Sequence, residues 1–321
     1  MSNVSILKSK VLNGYMLTKD EILSLCDAPL EELCKGADEI RNKFCGNIFD
    51  MCSIINGKIG GCTENCKFCA QSKHYNTHVK PLGMPSVDEI VNSAKHNYSK
   101  GVLRFSIVTA GRALNDEEVD LVCIRYKEIG DSCNIYKCAS HGLLTKVQLE
   151  KLKEVGVKRY HNNLETSRRY FSSMCTTHSY DDKINTIKAA QEIGLEVCSG
   201  GIFGIGETME DRIDMALELR ELSVKSIPVN IINPIPGTPY MGVEPLDYEI
   251  VMRIVAIFRF IIPDSMIRIA GGRSLLSDKG AKLFISGANA VATGDMLTTS
   301  GISIDDDIKI AKNAGYSVFL H

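Results

Sequence analysis

The chain has 321 residues, with 37 Lys and Arg against 39 Asp and Glu, a net charge of −2 and no Trp. With 44% apolar and 24% charged residues it reads as globular, not disordered or collagen-like. The near-neutral balance gives no electrostatic reason to expect nucleic acid or an anionic membrane as partner. No run approaches the roughly 18 apolar residues of a membrane span, and the polar start MSNVSILKSKVLNGYMLTKDE is no secretory signal. The 12 cysteines are therefore expected in a reducing cytoplasm, serving metal or redox chemistry and not a disulfide framework.

A helical pattern near 19–44 opens the chain, so that 1–45 reads as an N-terminal helical extension to a unit over 46–321. Strand-like runs follow at 51–56, 102–109, 134–138, 157–163, 195–200, 226–232, 265–270 and 288–292. Between them lie helix-like segments near 86–100, 115–129, 145–155, 180–193, 207–222, 246–262 and 276–286. Asn115 with Asp116, Glu117 and Glu118 supplies a cap and an acidic first turn. Gly130, Gly156 and Gly194 stand where helices should stop before strands. Strands alternating with helical crossovers predict an α/β fold, a (β/α)8 barrel of TIM type, with a doubly wound open sheet as the alternative. In a barrel, chemistry belongs at the C-terminal ends of the strands and on the loops that follow them.

The loop after the first strand carries Cys62, Cys66 and Cys69 in C-x3-C-x2-C spacing. The intervening Thr63, Glu64, Asn65 and Lys67 are too polar for a core, so the three thiols read as ligands. A structural zinc site closes its tetrahedron with four protein ligands, and no fourth stands nearby. Three thiolates on a [4Fe-4S] cluster instead leave one iron open, and soft thiolates suit such clusters. A zinc knuckle is the alternative.

This loop resembles that of the radical S-adenosylmethionine (SAM) enzymes, with Phe68 at the motif's aromatic position. The resemblance implies that the open iron chelates the methionyl group of SAM and that electron transfer to the sulfonium yields a 5′-deoxyadenosyl radical. NGKIGGCTENCKFCAQS (56–72), YHNNLETS (160–167), VCSGGIFGIGET (197–208), PVNIINPIPGTP (228–239) and IRIAGGR (267–273) together resemble the biotin synthase family, in register from about residue 20 to 316. That family inserts sulfur from an auxiliary iron–sulfur cluster into dethiobiotin. The resemblance places Asn163 and Glu165 at the ribose- and ureido-binding segment, with Glu165 where Asp is frequent. It places Asn230, Thr298 and Thr299 at substrate contacts, the two threonines at the carboxylate. Gly200, Gly201, Gly204 and Glu207 fall at a close backbone approach to SAM, and Lys183 replaces an Arg that pairs with its carboxylate.

The family's second cluster takes three cysteines and an arginine. Cys138, Cys198 and Arg268 match three of these positions, but the fourth is Ser106, a poor substitute for a thiolate. Cys52, Cys138, Cys198 and Arg268 fall on the first, third, fifth and seventh predicted strands. Alternate barrel strands share an interior layer, so Cys52 is expected to replace the missing ligand in a relocated, 4Fe-type auxiliary cluster, with Arg268 as ligand or close neighbour. Cys45 is a further candidate.

Cys26 and Cys34 fall on the apolar pattern of the N-terminal helix, Cys123 lies among Leu121, Val122 and Ile124, and Cys133 and Cys175 have no partner motif. His141, His161 and His178 read as structural hydrogen-bonding groups near the site, and Arg168 and Arg169 as solvated. The family resemblance further implies a flavodoxin or ferredoxin as electron donor and a homodimer. Rival readings are a related radical SAM lyase or mutase of cofactor assembly, or a non-catalytic iron–sulfur or zinc scaffold. Cys138 and Cys198 inside the barrel favour sulfur insertion over the first. The glycine loop and YHNNLETS argue against the second.

Overall fold

A computed structural model describes residues 1–318. Three helices come first: α1 (Asn3–Leu12), α2 (Lys19–Leu23) and α3 (Leu30–Cys45). The helical pattern expected over 19–44 is thus broken. Pro29 has no N–H to continue a helix and pushes the residue before it out of the helical region, so a new helix starts at Leu30. Cys26 lies in the resulting turn, away from the helix that buries Cys34.

The rest winds as β1 (Asp50–Lys58), α4 (Val87–Ser99), β2 (Arg104–Thr109), α5 (Asp116–Ser132), β3 (Tyr136–Ser140), α6 (Lys146–Glu154), β4 (Arg159–His161), α7 (Arg168–Met174) and α8 (Tyr180–Glu192). It continues through β5 (Glu196–Cys198), β6 (Gly201–Phe203), α9 (Met209–Glu221), β7 (Ser226–Ile231), α10 (Tyr248–Ile261), β8 (Met266–Ile269), β9 (Ala290–Thr293) and α11 (Ile304–Asn313). All the strand pairings are parallel, β1 joins β9, and β5 joins β7 through Cys198 and Ser226, which closes the sheet. β5 and β6 are two halves of one stave, so the barrel has eight. The break falls opposite Pro228, which has no N–H for the ladder, and Gly200 fits there because a Cβ would lie 2.0 Å from the Pro228 carbonyl oxygen.

Sequence rules explain the winding. Ser86, Asn115, Thr145, Ser179 and Thr208 each cap a helix in a reciprocal capping box. Gly156 and Gly194, with φ of 85° and 80°, end α6 and α8 as expected. Gly130 does not end α5, which runs on to Ser132. Its missing side chain leaves room for Lys137, whose Nζ donates to the carbonyls of Tyr126 and Val155 at 3.0 and 2.7 Å. The helix expected at 276–286 is instead a 3-10 turn at Ala281–Ile285, preceded by another at Arg273–Leu275. Gly280 and Gly287, both left-handed, bracket the second turn and deny it length.

Candidate radical and sulfur-donor site

β1 delivers the cysteine loop. Gly60 and Gly61 leave the strand with φ of 68° and 67°, a left-handed pair that turns the chain across the barrel mouth. Backbone bonds from Cys62 N to Gln71 O (3.0 Å) and from Lys73 N to Cys62 O (2.8 Å) pin the loop, and Cys69 N closes a turn on Cys66 O at 3.0 Å. All three thiols are free and half-buried. Burial pushes the Cys69 thiol up to about 11.

Inside the barrel lies a cavity of about 380 Å³ lined by Cys52, Cys138, Cys198 and Arg268, and by Phe68, Asn163, Glu165, Asn230, Thr298 and Thr299. All ten were singled out from the sequence, and the fold brings them onto one cavity. The layer argument holds in register: Cys52 is paired with Arg104, Cys138 with Ser106 and Arg159, Cys198 with His161, and Arg268 with Pro228. The neighbouring Cys138 thiol, with the Arg268 and Arg159 charges, holds the Cys52 thiol down at about 6, while the proximity of Cys52 and burial push that of Cys138 up. Cys198 accepts from Ser226 Oγ at 3.3 Å and is paired in register with His161, whose charge favours the thiolate and is favoured by it.

Four charged residues beneath the thiols were not picked out from the sequence. Asp50 takes Arg268 Nη2 at 2.7 Å and Arg104 Nε at 2.9 Å, while Arg159 binds Glu196 at 2.8 Å. The arginines overcome the desolvation of Asp50 and hold its carboxyl down at about 2. The Asp50 carboxylate in turn keeps Arg268 cationic. Positive charge below a ring of thiols suits a thiolate-bound anionic cluster. The only hint in the sequence was arginine on predicted strands, since a charge on a strand buried in a barrel requires a partner.

Other candidates stand further off. Both oxygens of Glu207 accept backbone N–H groups, from Gly204 at 2.9 Å and Ile205 at 2.8 Å, and Arg212 pairs with one of them, so this carboxylate shapes the glycine loop from outside the cavity wall. Gly200 and Gly201 admit neighbouring backbone, Pro228 and Glu165, and Gly204 admits Ile232 and Leu246. Lys183 does not line the cavity but its charge reaches Glu165 and Cys66. Asn230 lines the cavity, its Nδ2 donating to Gly201 O and its Oδ1 accepting from Gly271 N, both at 3.0 Å. Cys45 does not line the cavity and lies 3.3 Å from Arg259 Nη1. His141 is a buried neutral group between Thr109 and Tyr126, pushed down to about 3 by desolvation. Arg168 pairs at the surface with Asp181, and the exposed Arg169 reaches the buried carboxylate of Asp211.

The residues fit iron–sulfur clusters better than single ions. Among the described residues, neither the three loop thiols nor the three cavity thiols converge within 4.8 Å of one another, as the ligands of one ion must. The side-chain oxygen of Ser106 faces the same cavity, buried and without a hydrogen-bond partner.

A profile of the radical SAM superfamily matches residues 58–219, and one of the biotin and thiamin synthesis associated domain matches residues 228–317. The chain is 56% identical over 318 residues to a biotin synthase of Clostridium botulinum (strain Hall), covering 99% of this chain and 100% of that one. It is 54% identical to the biotin synthase of Akkermansia muciniphila, covering 99% of each. Methylornithine synthase superposes with a TM-score of 0.85 at 20% identity, covering 98% of this chain and 97% of the other. A maturase of the [FeFe]-hydrogenase does so at 0.81 and 18%, covering 98% and 75%. These two share the fold. A closed parallel barrel with this cysteine loop and these profiles defines a radical SAM enzyme. The chain belongs to the biotin synthase family. Its cofactors are accordingly SAM and iron–sulfur clusters, and its substrate is a small molecule. No described helix is long and apolar enough to cross a membrane.

Proposed function

We propose that this chain converts dethiobiotin into biotin, breaking two carbon–hydrogen bonds and forming two carbon–sulfur bonds within the 380 Å³ cavity. The supporting observation is the convergence of Cys52, Cys138, Cys198 and Arg268 with Asn163, Glu165 and Phe68 on that one cavity. When bound, SAM and the clusters supply a carbon-centred radical and the sulfur atom. Cys62, Cys66 and Cys69 hold the [4Fe-4S] cluster. Phe68, Asn163 and Glu165 orient SAM, Lys183 contributes charge, and the Gly200, Gly201, Gly204 and Glu207 segment keeps the wall in place. Asn163, Asn230, Thr298 and Thr299 orient the substrate. Cys52, Cys138 and Cys198 would hold a 4Fe-type auxiliary cluster, with Arg268, kept cationic by Asp50, as a further ligand or a neighbouring positive charge.

The apolar parts of the wall, Ile54, Val108 and Ile202 among them, exclude water from the reacting carbons. Residues 1–45 form the helical extension and 46–321 the catalytic barrel unit, of which 319–321 lie outside the described residues. A flavodoxin or ferredoxin serves as electron donor, and the enzyme acts as a cytoplasmic homodimer. Anaerobic reconstitution with reductant, SAM and dethiobiotin, followed by mass spectrometry, tests the reading. Biotin together with 5′-deoxyadenosine is expected. Deoxyadenosine without biotin refutes the substrate, and neither product refutes the radical chemistry.

A further inference from the structure

Cys175 had no partner motif in the sequence, yet the fold sets it beside the radical loop. It follows α7, 2% exposed, and its Sγ lies 3.6 Å from Cys66 Sγ and 3.4 Å from His178 Nδ1. Cys66, Cys175 and His178 are the one set of three potential ligands among the described residues whose donor atoms all lie within 4.8 Å of one another. With zinc–sulfur bonds of about 2.3 Å and zinc–nitrogen bonds of about 2.0 Å, tetrahedral ligand edges are roughly 3.5 to 3.8 Å. The 3.6 Å between Cys66 and Cys175 Sγ falls within that range, and His178 Nε2, 4.0 Å from Cys175 Sγ, lies just outside it.

The surroundings are also those of a metal site. His178 Nδ1 is 2.5 Å from the buried carboxylate of Glu64, an arrangement that orients a ligating imidazole and leaves Nε2, 4.0 Å from Cys175 Sγ, to turn onto the ion. Glu64 is fixed by Thr177 Oγ1 at 2.9 Å and faces Arg112 at 3.6 Å. Asn65 ties the two segments together, with its Oδ1 accepting from Thr176 N at 2.9 Å and its Nδ2 donating to Thr176 Oγ1 at 2.7 Å. Two sulfurs and one imidazole are a soft, closely spaced set that selects a single zinc-type cation over calcium or magnesium.

We propose that Cys66, Cys175 and His178 form a mononuclear site for a divalent transition-metal ion such as Zn²⁺, used when the [4Fe-4S] cluster is absent and mutually exclusive with it. Cys66 is common to both assemblies. A zinc-loaded chain therefore lacks one of the three loop ligands and is radical-incompetent until the ion is removed, whereas Cys62 and Cys69 are dispensable for zinc. Three protein ligands leave a fourth position for water, so the ion remains exchangeable.

The test uses the full apo-chain, stripped of metal under anaerobic reducing conditions and titrated with Co²⁺ as the spectroscopic probe. Wild type is expected to bind an equivalent with tetrahedral d–d bands and thiolate-to-cobalt charge transfer, displaced by Zn²⁺. That equivalent disappears in Cys66→Ser, Cys175→Ser and His178→Ala, and persists in Cys62→Ser and Cys69→Ser. Circular dichroism checks that each variant is folded. A second arm adds one equivalent of Zn²⁺ before iron and sulfide. Uptake of the radical cluster, read by electron paramagnetic resonance after reduction, should fall at least tenfold in wild type and not in Cys175→Ser. Retention of the cobalt bands in folded Cys175→Ser, or their loss in Cys62→Ser and Cys69→Ser, overturns the proposal. Biotin formation by cobalt-silent wild type would leave the function standing and sink only the zinc site.

Discussion

Replacing Glu165 with glutamine removes one negative charge from the cavity wall at nearly constant volume. Glu165 is held at φ 71°, its backbone bridged to the β5–β6 break by Glu165 N to Gly200 O (3.0 Å) and Ile202 N to Glu165 O (2.8 Å). One carboxylate oxygen accepts from Asn163 Nδ2 at 3.3 Å. If a ribose diol donates to this carboxylate, glutamine keeps one acceptor and turns the other into a donor. Losing one charge-assisted hydrogen bond costs about 1.5–3 kcal/mol, which weakens SAM binding roughly tenfold to 150-fold. Burial raises the Glu165 carboxyl above its ordinary value, with Lys183 and His161 pulling it part of the way back. Ribose donors favour the anion, so affinity should fall as pH drops through that raised value and be level above it; Glu165→Gln abolishes the dependence. A raised carboxyl stabilises the fold only while protonated, and a buried amide costs less than a buried carboxylate. The apo-variant should therefore melt no lower than wild type at neutral pH. Calorimetric SAM titration of the reconstituted protein over about pH 5 to 8, with thermal melts of the apo-form, checks both. Equal affinity of the two proteins across that range refutes the ribose assignment, and a variant that melts lower refutes the attribution to charge.

Cys52→Ala should lose the iron of one cluster by Mössbauer spectroscopy and iron analysis, whereas Cys45→Ala and Ser106→Ala should lose none; a full second cluster in Cys52→Ala would remove it as a ligand. Gly200→Ala should cost about 3 kcal/mol in urea unfolding, because its Cβ meets the Pro228 carbonyl at 2.0 Å and backbone cannot yield. Gly130→Ala would bring a Cβ to 2.5 Å from Lys137 Nζ and disturb its bonds to the Tyr126 and Val155 carbonyls; the better helix propensity of Ala offsets part of this, so a net loss of about 1–2 kcal/mol is expected. Tyr126→Phe removes a buried hydroxyl that donates to Cys138 O at 2.7 Å and contacts His141 Nε2 at 3.2 Å, for an expected loss of about 1–3 kcal/mol by the same measurement.

The eight staves were legible because buried parallel strands read as short apolar runs between capped amphipathic helices. Local chemistry misled in identifiable places. Pro29 splits the N-terminal pattern, Gly130 serves Lys137 and not a helix end, and left-handed glycines shorten the segment at 276–286. The short helices α1, α7 and α11 went unread.

Sequence alone singled out the Cys62, Cys66 and Cys69 loop, because three thiols within eight residues need only a turn to come together. It also determined the order of strands and helices, and with it the end of the barrel on which the loop stands. Tertiary structure decided what depends on distant residues meeting. Arg268 finds Asp50 from 218 residues away, and Cys66 finds Cys175 from 109. A barrel closes on itself and presents the same end of every strand to one mouth. Partners remote in the chain become neighbours there, and no local pattern records the pairing.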